Sequence, residues 1–95
     1  MTQEIKEQAL AAFLKNPYWK GIYDKAPAKA KIFYEIVFAN SEGLIPKEEH
    51  VSSIHEIYRQ FDDADWEYII ANTRNKMAKW GYNKAREKFG KKNQD

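Results

Sequence analysis

The chain has 95 residues, with 16 Lys and Arg against 14 Asp and Glu, no cysteine and 15% aromatic residues. That is one domain's worth of chain, long enough for a hydrophobic core without covalent staples. The lack of cysteine excludes a disulfide framework, a cysteine zinc knuckle and a thiol nucleophile. The longest apolar-rich run, Ile32 to Ala39, contains Glu35 and is far below the roughly 20 residues of a bilayer span. The N-terminal Met-Thr-Gln-Glu-Ile-Lys lacks the pattern of a signal peptide, so the expectation is a soluble, cytoplasmic protein without membrane association.

In chain order the punctuation favours helices. Thr2 can cap a first helix over Gln3 to Lys15, with Ile5, Ala9, Ala12 and Phe13 on one face and Leu10 and Leu14 beside it. Asn16-Pro17 reads as a stop and restart, with Asn16 as N-cap and Pro17 at the first helical position. The short helix that follows presents Tyr18, Trp19, Ile22 and Tyr23. Pro27 opens a third helix to about Asn40, apolar nearly all round, as a central helix is. Gly43 can end it in the left-handed conformation, and Pro46 starts a fourth, striped by Val51, Ile54, Tyr58 and Phe61. Asp62-Asp63 is a break and cap before a fifth, in which Trp66, Ile69 and Ile70 face inward. Asn72-Thr73-Arg74-Asn75 consists mostly of poor helix formers and can cap a new helix at Thr73. Trp66, Ile69, Thr73, Met77 and Trp80 nevertheless keep helical register through it. A break near 72–74 is the expectation, and one long helix over 64–89 the alternative. The fold implied is an all-α, compact single-domain bundle of five or six short helices over 1–90, followed by a disordered polar tail at 91–95.

Charge is polarised along the chain. Residues 74–95 hold eight basic side chains and two acids, whereas 42–67 hold eight acids and two basic side chains. On the last helix, Ala78, Tyr82, Ala85 and Phe89 form an inner arc that Met77 and Trp80 extend, with Lys76, Lys79, Asn83 and Arg86 opposite. Such a stripe can contact nucleic acid, with Asn and Arg reading base edges and Lys neutralising phosphates. It can equally meet another acidic partner, or pair with the acidic middle of its own chain. The string Lys79-Trp80-Gly81-Tyr82-Asn83-Lys84 resembles the recognition helix of homeodomains, which carries Trp, a second aromatic, then Asn and basic residues. The resemblance spans fewer than ten residues. Gly81 stands where the second aromatic belongs, and Ala85 and Glu87 replace basic residues, so no residue role is carried over.

Tyr18, Trp19 and Tyr23 are a candidate protein-contact patch, since such rings dominate interface energetics, or alternatively the rim of the core. His50 and His55 are five apart and cannot chelate a metal from one helix face, so no metal ligands are assigned. Ser52 and His55 are close enough to bond but lack an orienting acid, and no catalytic set converges. Asp62, Asp63 and Asp65 lack the glycine and downstream Glu of a calcium loop and read as helix caps. The sequence therefore points to a non-enzymatic accessory or regulatory module without cofactor or small-molecule substrate. Its expected partner is another protein or a second copy of itself, and nucleic acid is the alternative.

Overall fold

The computed structural model describes residues 1–90. It contains six helices: α1 (Gln3–Phe13), α2 (Pro17–Lys25), α3 (Ala28–Ser41), α4 (Lys47–Tyr58), α5 (Asp63–Ala71) and α6 (Lys76–Gly90). The expected tail at 91–95 lies outside the described residues. The protein is an all-α single-domain bundle, and no helix among the described residues is long and apolar enough to cross a membrane.

The boundaries follow from local chemistry. The Thr2 hydroxyl accepts from the Ile5 amide at 3.2 Å, and Asn16 Oδ1 accepts from the Tyr18 amide at 2.9 Å with Pro17 behind it. Gly43 turns the chain out of α3 at φ 71°, a conformation that needs a residue without Cβ strain. At the start of α5, Asp62 and Asp65 form a reciprocal capping box. The Asp65 amide donates to Asp62 at 3.1 Å, and the Asp62 amide donates to Asp65 at 3.0 Å.

The break between α5 and α6 falls after Ala71, but the cap is Asn75 and not Thr73. The Thr73 hydroxyl donates back to the Ile69 carbonyl at 2.6 Å, closing the last turn of α5. Asn75 Oδ1 is then the acceptor that meets the Ala78 amide, at 3.0 Å. Helix α3 lies at the centre and touches α1, α2, α4 and α5. Ala30, Phe33, Tyr34, Glu35, Ile36, Phe38 and Ala39 are all buried on it.

Two groups of rings fill the space around α3. Phe13 stacks on Phe38 at 4.4 Å, and Trp19 meets Phe38 edge-on at 5.6 Å. On the other side Tyr58, Phe61 and Trp66 pack together, with Tyr58 and Phe61 each 4.9 Å from Trp66. Long-range hydrogen bonds lock the layers, including Tyr68 to the Ile22 carbonyl and Tyr23 to Glu35.

Because Asp62→Ala removes the side-chain acceptor of the capping box but keeps the backbone amide that donates to Asp65, it is expected to destabilise the fold by about 1 kcal/mol. Chemical denaturation measures this, and an unchanged midpoint would contradict the role.

Candidate interaction surface

Helix α6 lies on the outside of the bundle. Its inner arc is half-buried, with Tyr82 edge-on to Phe33 at 5.7 Å and Phe89 5.4 Å from Tyr58 and 5.2 Å from His55. None of its residues is fully buried. Its remaining side chains therefore form much of the molecule's surface on this side.

The cationic stripe divides. Lys76, Lys79 and Asn83 face solvent, and neither lysine makes an ion pair among the described residues. The Asn83 amide group donates to the Lys79 carbonyl at 3.0 Å, within its own helix. Arg86 turns toward α5 and donates to Asp63 at 3.0 Å. Among the described residues this is the single ion pair between α6 and the acidic segment 42–67. Glu56 pairs with its neighbour Arg59, and Glu49 with the chain's N-terminal ammonium, while Glu42, Glu48 and Glu67 are exposed. The two charged regions stay largely separate on the surface.

Met77 and Trp80 do not extend the inner arc. They are 77% and 61% exposed, the most solvent-accessible of the large apolar side chains. Trp80 stands roughly 170° around the helix from the centre of the Ala78–Tyr82–Ala85–Phe89 arc. The register linking Trp66 to Trp80 holds only for an unbroken helix. The break at 72–75 lets α6 dock by its Ala78–Tyr82–Ala85–Phe89 arc, and the geometry of α6 itself then points these two side chains outward.

Trp80 sits among cations, with Lys76 one turn before it and Lys84 one turn after. The Lys84 ammonium is 5.8 Å from the indole centroid. On the inner side of α6, away from Trp80, an apolar groove of about 380 Å³ lies between α4 and α6. Val51, Ile54 and Tyr58 line one wall, and Ala78, Gly81 and Ala85 the other. Val51, expected on the buried stripe of α4, is 42% exposed at this groove, because α6 leaves that part of α4 uncovered. His50 and His55 also line it. His50 Nδ1 is buried without a partner, and burial lowers the His50 pKa from its ordinary 6.5.

The expected patch at Tyr18, Trp19 and Tyr23 is not a contiguous exposed surface. Trp19 is half-buried edge-on to Phe13 and Phe38, and Tyr23 is half-buried with its hydroxyl on Glu35. Tyr18 alone is exposed, and the Arg74 guanidinium covers its ring at 4.6 Å. The aromatic density of α2 therefore serves the core. Sequence periodicity missed Val51 and Met77 as surface residues, since both sit at spacings that suit an inward stripe. The Ser52 hydroxyl donates to the Glu49 carbonyl at 3.2 Å, within its own helix. Among the described residues no three His, Asp or Glu side chains come together as a metal site. Compared with known protein families, curated proteins and solved structures, the chain has no match.

Three outcomes test this description. A Cβ at Gly81 meets nothing within 4 Å, so Gly81→Ala is expected to stabilise the protein by about 0.5–1 kcal/mol through helix propensity alone. Asp63 is 88% exposed, so a double-mutant cycle on Arg86 and Asp63 should return no more than about 1 kcal/mol. For His50 the folded pKa lies below the unfolded value. Its contribution to stability is thus present above about pH 6.5 and lost as pH falls through the folded pKa. Stability should drop as pH falls below about 6.5, and His50→Gln should flatten that part of the profile in denaturation curves.

Proposed function

We propose that this protein is a non-enzymatic interaction module that binds an acidic protein partner through the exposed outer side of α6. The observation that carries this reading is the outward placement of Met77 and Trp80 among Lys76, Lys79 and Lys84 on the outer side of α6. Tryptophan and methionine are enriched in interface cores, and a tryptophan inserted into a partner's pocket commonly dominates the binding energy. Exposing two such side chains to water has no benefit for folding, since neither contributes to the core. Lys76, Lys79 and Lys84 form a cationic rim around them, which favours an acidic partner and speeds encounter with it. The fixed geometry of Ser52, bonded to backbone and not to His55, supports a binding role over catalysis. The cysteine-free sequence fits a cytoplasmic setting.

A second reading has its own support. Lys76, Lys79 and Asn83 face solvent around an exposed indole, an arrangement that suits single-stranded nucleic acid, with a base stacked on Trp80 and phosphates on the lysines. The acidic residues of α4 and α5 weigh against it, because a phosphate backbone that runs off α6 meets them.

Capture from native lysate, with and without nuclease, separates the readings. Wild-type protein is expected to retain a partner after nuclease treatment. Trp80→Ala is expected to lose that partner, weakening binding by at least about 2 kcal/mol, roughly thirtyfold, with folding stability unchanged. Loss of all capture on nuclease treatment, together with a steep salt dependence, would favour nucleic acid. Binding indifferent to Trp80→Ala would remove both.

A further inference from the structure

Helix α3 is apolar nearly all round, yet it carries a carboxylate at its middle. The Glu35 side chain is only 7% exposed. One of its oxygens accepts the Tyr23 hydroxyl at 2.5 Å. The nearest cation to the other, Oε1, is the Lys6 ammonium at 3.8 Å, beyond the reach of an N–H···O hydrogen bond. The Lys6 side chain is itself 37% exposed and largely solvated. A carboxylate held largely out of water is costly unless its oxygens are hydrogen-bonded, and Oε1 has no protein donor within hydrogen-bond distance among the described residues, so it is served only from the cavity it borders.

That carboxylate lies on the wall of a cavity of about 620 Å³, floored by α3 and flanked by α1 and α4. The volume falls in the ordinary range for small-molecule sites, roughly 300–1,000 Å³. Ile32, Ile36 and Ile57 supply apolar lining, and Ile32 is 40% exposed there. A second carboxylate, Glu56, stands on the α4 side. The charged side chains around the cavity are therefore two acids, Glu35 and Glu56, against Lys6. The N-terminal ammonium nearby is held by Glu49 at 3.4 Å.

We propose that this cavity binds a small primary ammonium carried on an aliphatic body, its head on Glu35 Oε1 and its chain along Ile32, Ile36 and Ile57. A primary ammonium offers three donors and so supplies the bond at Glu35 Oε1 with two to spare for the rim hydroxyls. An anionic head would meet two carboxylates. A neutral head leaves the charged bond unmade. Lys6 at 3.8 Å then acts as a standing competitor that the ligand displaces into solvent. This site is independent of the α6 surface, on the opposite side of α4.

Glu35 also joins α1, α2 and α3 through Lys6 and Tyr23, and the test must separate that tether from a ligand site. The full chain is titrated with hexylamine near neutral pH, with hexanol and hexanoate as matched probes, and followed by amide chemical shifts in two-dimensional NMR. Hexylamine is expected to give saturable shifts at residues 2–6, 32–36 and 52–57, while hexanol and hexanoate bind at least about tenfold more weakly. Glu35→Gln should reduce hexylamine affinity by about tenfold or more. Lys6→Met, at a half-exposed position where the fold is not at risk, should raise hexylamine affinity several-fold, because the competing cation is gone. A tether alone predicts lower stability for both variants and no change in ligand affinity. Hexanol binding as tightly as hexylamine, shifts mapping elsewhere, or hexylamine affinity unchanged in Lys6→Met would each overturn the proposal.

Discussion

Helix α3 has no face that it can leave in water, and the arrangement of the other helices follows from that constraint. Its run Ile32–Phe33–Tyr34–Glu35–Ile36–Val37–Phe38–Ala39 presents apolar side chains around most of the circumference. Each of α1, α2, α4 and α5 buries a narrower stripe against it. Phe38 takes Phe13 and Trp19 from the N-terminal pair, and Phe33 takes Tyr58, Phe61 and Tyr82 from the C-terminal three. At roughly 25 cal/mol per Å² of apolar area, rings of this size supply much of the driving force for assembly. The interior is built of rings more than of aliphatic layers, which lets a chain this short enclose a full core.

The same constraint explains why α6 looks outward. Once four helices cover α3, little apolar surface remains for a sixth element. Helix α6 needs only a thin contact line, Ala78–Tyr82–Ala85–Phe89, to dock over α4 and α5. The rest of its circumference is released from any packing duty, and that is where Met77, Trp80 and the solvent-facing lysines stand. Exposed apolar and cationic side chains and core formation thus fall to different helices, with α6 peripheral and α3 central.

Most of this architecture can be read from the sequence, because its signals are local. The caps at Thr2, Asn16 and Asp62, the turn at Gly43 and the all-round apolar character of α3 each depend on residues within a few positions of one another. What could not be read depends on rotation between elements. Whether α6 docks through its Ala78–Tyr82–Ala85–Phe89 arc turns on the angle introduced at 72–75, and four residues of loop carry no sequence record of that angle; once that arc is the docked one, helix geometry alone puts Trp80 outside. The division of the cationic stripe is similar, since Arg86 finds Asp63 only through the docking of α6 on α5. Tyr18, Trp19 and Tyr23 looked alike as a cluster, but helical geometry sends two of them toward Phe38 and Glu35 and leaves one outside. Glu35 was visible as a charge within an apolar run, while its pairing with Tyr23 and its exposure to a cavity emerge only from the packed helices.

The thin docking of α6 also bears on how the molecule opens. Cooperative units with few fully buried contacts exchange their amide protons through sub-global fluctuations that leave the rest of the fold intact. Helix α6 is such a unit, joined to α5 by a four-residue loop and holding no fully buried side chain. Its amides belong to the fast-exchanging class, ahead of those of α3, whose release requires the whole core to come apart. A partner that grips Trp80 would hold the helical form of α6 from its outer side, so that binding slows exchange along a helix whose inner arc it never touches.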